Sequence, residues 1–150
     1  MDPTSNDERF VSVAAREARK SRVRARLGCV AVSSGKVVAK GFNNYRTYSK
    51  DGMINKACSC HAEIDVLRKC LKRNFKKKLS LYIVRVTNED SLASSAPCLP
   101  CTEKMREFNI KSLTYIDDDG ILIKEHFRDY ITSYQSSGHM AILKNRVQCT

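Results

Sequence analysis

Two short segments of the chain combine metal-ligating and acidic residues: Cys60-His61-Ala62-Glu63 and Pro97-Cys98-Leu99-Pro100-Cys101. The second is a Cys-x-x-Cys opening a stretch of helical periodicity, and that spacing aims both sulfurs at one ion from a single turn. Two thiolates and an imidazole form a three-ligand zinc site, which leaves the fourth coordination position to water; a structural site closes with four protein ligands. His61, Cys98 and Cys101 are therefore the expected ligands and Zn2+ the expected cofactor. Zinc lowers the pKa of bound water to about 7, which provides a nucleophile at neutral pH. Glu63 follows His61 by two residues, close to the ion but spare as a ligand, and a carboxylate so placed is suited to moving protons. It is the expected catalytic residue.

Each segment by itself is a weak signal. A His-x-Glu is common, and a lone Cys-x-x-Cys can be redox-active or structural. A rival set of four thiolates, Cys58, Cys60, Cys98 and Cys101, would make a closed structural site, but the Cys58-x-Cys60 spacing suits it less well than Cys-x-x-Cys. The cysteines number seven, at positions 29, 58, 60, 70, 98, 101 and 149. An odd count without the basic-then-apolar start of a secretory leader argues against a disulfide framework. Cys29, Cys70 and Cys149 read as core or surface residues.

The elements that must position these residues follow from periodicity. Residues 6–22 read as a helix capped by Asn6 or Asp7, with Phe10, Val13, Ala14 and Ala18 on one side. Residues 29–32 and 37–42 form a hairpin around Ser34-Gly35, and residues 43–57 a loop. A second helix covers 61–73, with Ile64, Val66, Leu67, Cys70 and Leu71 on its apolar side and Asp65, Arg68, Lys69, Lys72 and Arg73 on the polar one. Residues 79–86 read as a central strand, 87–96 as a loop, 98–108 as a third helix and 113–116 as a fourth strand. Asp117-Asp118-Asp119-Gly120 is a turn that returns 121–123 antiparallel as a fifth strand. A last helix is expected at 127–135, from Phe127, Tyr130, Ile131 and Tyr134. The order is α-β-β-α-β-α-β-β-α, in one α/β domain over residues 1–150. Both ligand segments fall at helix N-termini, where free N–H groups and positive potential favour thiolates.

On these residues the chain resembles the zinc-dependent cytidine/deoxycytidylate deaminase superfamily, whose H-x-E…P-C-x-x-C signature is matched by His61-Ala62-Glu63 and by Pro97 to Cys101. Gly28-Cys29-Val30-Ala31-Val32 and Gly35 to Asn43 are similar to the superfamily's first hairpin, and the resemblance extends over about residues 8–124. It implies a cytidine deaminase-like, three-layer α/β/α fold with a mixed five-stranded sheet. It implies attack of activated water on the amine-bearing ring carbon, with release of ammonia. It also implies substrate contacts from Asn43, with Asn44 the weaker alternative, and from the backbone around Ala62, Ser95 and Ala96. Deoxycytidylate and tRNA adenosine deaminases of the superfamily run a helix between the fourth and fifth strands, which makes the fifth parallel. The Asp-rich turn leaves no room for that helix, as in the free-cytidine and blasticidin branch. That branch places Arg-Gln after the second cysteine, whereas Thr102-Glu103 stand here.

Composition bounds the partners. The net charge is +11, concentrated in Arg16 to Arg26 and in Arg68 to Lys78. Such charge favours phosphate-bearing partners or is simply a solvated surface. The first reading is a deaminase of cytosine in cytidine, deoxycytidine, CMP or dCMP, with the basic loop 46–56 holding a phosphate. The alternative is a deaminase of RNA or single-stranded DNA, with Tyr45 and Tyr48 stacking bases between Arg46 and Lys50. A third reading is a non-catalytic subunit of a larger particle, against which the spare Glu63 argues. A homo-oligomer is expected by analogy with the fold. With no run of eighteen apolar residues and no leader, a membrane partner is not expected and the cytoplasm or nucleus is the expected location.

Overall fold

The computed structural model describes residues 2–46, 48–54 and 60–132. The first helix, α1 (Ser5–Ala18), begins one residue before the expected start. Its cap is Thr4, which makes a capping box with Asp7, rather than Asn6 or Asp7. It ends at Ala18, so Arg19, Lys20 and Arg22 lie beyond it. Phe10, Val11, Ala14, Ala15 and Ala18 are buried along one stripe.

The sheet contains β1 (Arg26–Ser33), β2 (Lys36–Phe42), β3 (Leu79–Val86), β4 (Leu92–Ala93), β5 (Ile110–Ile116) and β6 (Leu122–His126). Its order is β2-β1-β3-β5-β6, with β4 hydrogen-bonded to β3 off this path. The β3–β5 pair is parallel and every other pair antiparallel. The sheet is mixed as expected, and its last strand is antiparallel to β5 across Asp117 to Gly120. It has six strands rather than five, because the expected loop at 87–96 contains β4, too short to show periodicity. Ser34 and Gly35 both take positive φ, 51° and 76°, as a two-residue hairpin turn with the twist of the flanking strands requires.

Two helices complete the fold, α2 (Ala62–Lys72) and α3 (Leu99–Met105). They lie on the face of the sheet opposite α1, giving three layers. On the α1 face Phe10, Ala14 and Ala18 pack with Val30, Tyr82 and Val84. On the other face Leu67 and Met105 pack with Ala31, Leu81, Ile83 and Leu113. The alternation along β1 sends Cys29 and Ala31 to one core and Val30 and Val32 to the other.

Three expectations are corrected. On α2, Leu71 is 46% exposed and Arg68 is buried, because Arg68 turns onto the 48–54 loop and pairs with Asp51 at 3.0 Å. The helix expected at 98–108 stops at Met105. Of the helix expected at 127–135, residues Phe127–Asp129 form a single 3-10 turn, and 133–135 lie outside the described residues. So do Cys58, Cys149 and the end of the 43–57 loop. Among the described residues no helix is long and apolar enough to cross a membrane.

Candidate metal centre

The ends of α2 and α3 meet at one point. His61 is the N-cap of α2 and Cys98 the N-cap of α3, and neither side chain makes a capping hydrogen bond. A cap position normally carries Ser, Thr, Asp or Asn, whose oxygen accepts from the first turn. Here the cap side chains turn toward each other instead. His61 Nδ1 lies 3.1 Å from Cys101 Sγ and 3.5 Å from Cys98 Sγ, and all three donor atoms fall within 4.8 Å of one another. Tetrahedral zinc with Zn–S about 2.3 Å and Zn–N about 2.0 Å separates its donors by about 3.5–3.8 Å. The Nδ1–Cys98 distance matches this and the Nδ1–Cys101 distance is tighter, so the donor set suits one zinc ion, with Nδ1 as the imidazole ligand, once Cys101 gives by a few tenths of an ångström. Cys60, also buried, is held apart from the set: its backbone pairs with Asn44 in both directions at 2.8 and 2.9 Å.

Without an ion, the three donors hold their protons unequally. The Cys98 thiol is brought down to about 4, first by a hydrogen bond from Cys101 and then by His61. Cys101 is pushed well up, because it is the donor of that bond and because it is buried. Burial lowers His61, but its hydrogen bond to Cys98 and the nearby Glu63 outweigh this and raise it. A divalent ion must therefore displace the Cys101 proton on binding.

Glu63 sits in the first turn of α2, 4% exposed. Burial raises its carboxyl, against the pull of His61, and the single S–H of Cys101 is shared between this carboxyl and Cys98. Among the described ion pairs it has no lysine or arginine partner. A buried carboxyl with a raised pKa next to a metal site is arranged to exchange protons rather than to hold a salt bridge.

The remaining sequence-derived positions are each held in a different way. Ser95 is buried and its hydroxyl bridges strands, donating to Ile83 at 2.7 Å and accepting from the Ile116 N–H at 2.9 Å. This fixes the turn through Ala96 and Pro97 that leads to Cys98. Ala62 is fully buried behind His61. Asn43 is 3% exposed. Its Oδ1 accepts from the Leu27 N–H at 2.9 Å and its Nδ2 donates to the Ala25 carbonyl at 2.5 Å. It thus clasps the start of β1, with one amide hydrogen left over among the described hydrogen bonds. The Asn44 side chain turns to its own loop, donating to Phe42 and accepting from Arg46.

One residue beside the centre escaped the sequence reading. Tyr130, counted there as part of a helix stripe, instead reaches back to the Cys98 turn and donates to the Pro97 carbonyl at 2.7 Å. No local pattern signals a contact across 33 positions.

Known proteins share these features. A family model described as the cytidine and deoxycytidylate deaminase zinc-binding region matches residues 4–117. The deoxycytidylate deaminase of Schizosaccharomyces pombe is 32% identical over 117 residues, which is 73% of this chain and 36% of that protein. The chain thus spans about a third of the length of that relative. Among solved structures, the cytidine deaminase of Burkholderia pseudomallei superposes with a TM-score of 0.63 at 17% identity, covering 85% of this chain and 98% of that one. The dCMP deaminase of cyanophage S-TIM5, solved with dCMP and dUMP, gives a TM-score of 0.58 at 20% identity, covering 79% and 85%. Both likenesses are of fold. With the profile matched over most of its length and the ligand set assembled at two helix ends, the chain belongs to the zinc-binding cytidine and deoxycytidylate deaminase family.

Proposed function

We propose that the protein deaminates cytosine hydrolytically in a nucleoside or nucleotide, with dCMP as the preferred substrate. The observation that carries the proposal is the pairing of a three-donor set with a buried carboxylate that has no lysine or arginine partner among the described ion pairs. A zinc ion held by His61, Cys98 and Cys101 supplies Lewis acidity toward water. Glu63 does the proton work. Its carboxylate takes a proton from the attacking water as oxygen adds to the amine-bearing ring carbon, and passes it to the adjacent ring nitrogen. Glu63 then takes the proton of the hydroxyl just added to the ring carbon and delivers it to the amine; the C–N bond breaks, ammonia leaves, and the hydroxyl oxygen becomes the carbonyl of the uracil product. The burial of Glu63 keeps bulk water from competing for the proton.

The choice of dCMP is supported by the fission-yeast relative and by the basic character of the chain. The antiparallel β6 is the feature that the free-nucleoside branch shares, so deoxycytidine is the competing substrate. Exposed Tyr45 and Tyr48 beside Arg46 are the surface on which an oligonucleotide would stack. The test is ammonia release by zinc-loaded protein from dCMP, CMP, deoxycytidine, cytidine and single-stranded oligomers. Turnover of dCMP with the highest kcat/KM is expected. Activity confined to oligomers, or stoichiometric zinc with no turnover of any substrate, would overturn the proposal.

A further inference from the structure

Tyr130 has no part in the chemistry above, yet it is placed to govern the donor set. We infer that Tyr130 is a positioning residue of the metal centre, its hydroxyl holding the Pro97 carbonyl and so presenting Cys98 at the position that completes the ligand triangle.

The inference starts from what holds the turn before α3. Ser95 is fixed to β3 and β5, and the Cys98 carbonyl accepts from Thr102 Oγ1 at 2.9 Å. Between these points lie Ala96 and Pro97. Proline has no N–H to donate, and Cys98 lacks a side-chain cap. Among the described hydrogen bonds, the one from Tyr130 is what ties the Pro97 carbonyl to the rest of the fold. That carbonyl belongs to the peptide entering Cys98, so its direction sets where the Cys98 Cβ points.

Tyr130 is itself rigidly held. It is 7% exposed and belongs to the same core cluster as Cys98, Cys101 and Met105. Its ring meets that of Tyr115 edge-on, with centroids 5.5 Å apart and planes at 74°. Thr132 makes a further side-chain hydrogen bond to its hydroxyl. A buried phenol needs a partner for its O–H, and the partner found is a carbonyl one residue from a ligand. Groups that hydrogen-bond metal ligands typically cost 10–100-fold in metal affinity when lost, and a tie that acts through the adjoining peptide is expected at the low end of that range.

The inference rests on the reading of His61, Cys98 and Cys101 as a zinc centre, and its test needs no substrate. In Tyr130→Phe the ring stays and the bond to Pro97 goes. Zinc release from this variant to a competing chelator is expected to be roughly tenfold faster, and the visible absorption of the cobalt-substituted protein is expected to shift. Tyr115→Phe is the matched control. It loses the bond to Glu125 within the same aromatic pair, and should release zinc as the unsubstituted protein does. Thr132→Val, which removes the other partner of the hydroxyl without touching the ring, should show a smaller acceleration. Release at the native rate in Tyr130→Phe, an unchanged cobalt spectrum, or equal acceleration in Tyr115→Phe overturns the inference. Failure of all variants and of the native protein to take up zinc would instead remove the metal reading beneath it.

Discussion

Glu63 shows how little the site asks of a single side chain in packing and how much in chemistry. It is buried, it lies beside the Cys101 thiol and His61, and it stands two residues from His61 but outside the donor set. Glu63→Gln keeps the shape and removes the exchangeable proton. A fall of about 10²–10⁴-fold in kcat is expected, with zinc content unchanged by atomic absorption. Loss of zinc along with activity would show that Glu63 ligates. Cys98→Ser tests the opposite case: zinc content should fall to a small fraction of stoichiometric, because the thiolate supplies both charge and a soft donor.

At the scale of elements, the first question is how α1 docks so closely on β1. Gly28 is the reason: a Cβ there would meet the Ala14 carbonyl oxygen at 2.1 Å and the Ala18 nitrogen at 2.5 Å. Both are backbone atoms, which cannot swing aside. Gly28→Ala should therefore cost about 3 kcal/mol in urea unfolding, at the upper end of overpacked sites. Were α1 free to ride outward, the cost would be below 1 kcal/mol. The other end of α1 is held by Asp7, which is 3% exposed and bonded to Tyr82 at 2.6 Å and Lys124 at 2.9 Å. Burial raises this carboxyl, but hydrogen bonds from Tyr82, Thr4 and Lys124 outweigh it and bring it to about 2. A depressed carboxyl stabilises the fold above its unfolded value of 3.8, and the contribution fades as pH falls toward 2. The tie is worth about 2 kcal/mol at neutral pH. Asp7→Asn should remove that share of the acid-dependent loss between pH 5 and pH 2, read as a flatter plot of urea midpoint against pH; an unchanged slope would place the proton linkage elsewhere.

Across the whole molecule, an ion bound by His61, Cys98 and Cys101 would act as a cross-link. Its donors come from α2 and α3, which are separated in sequence by β3 and β4, so zinc binding ties the two halves of one core face. Chelation should lower the melting temperature as well as abolish turnover, and zinc added back should restore both. An unchanged melting temperature would mean that the core cluster around Leu67 and Met105 suffices on its own. The net charge of +11 makes a separate prediction on the same scale. The KM for dCMP should rise with ionic strength between 50 and 300 mM salt, while that for deoxycytidine should barely move, since only the former carries charge for the field to attract.

The local part of this protein was readable without coordinates. His61, Cys98 and Cys101 declare themselves by type and spacing, and the turns at Ser34-Gly35 and Asp117 to Gly120 are signalled by a glycine that takes positive φ in each. Helix and strand periods follow from which side must be buried, so α2 and β3 are close to their expected bounds, whereas α1 ends four residues short of the expected 22. What sequence could not decide is whatever depends on meeting a distant partner. Arg68 looks solvent-facing on the helix wheel until the 48–54 loop brings Asp51 to it. The two-residue β4 has no period to detect and exists because β3 offers it an edge. Asn43 turns its amide to the backbone of β1 because folding brings Ala25 and Leu27 within reach. Tyr130 belongs to the metal centre through a contact that only the closed chain creates. Spacing along the chain records short-range geometry, whereas these contacts are set by packing between layers, which no local pattern encodes.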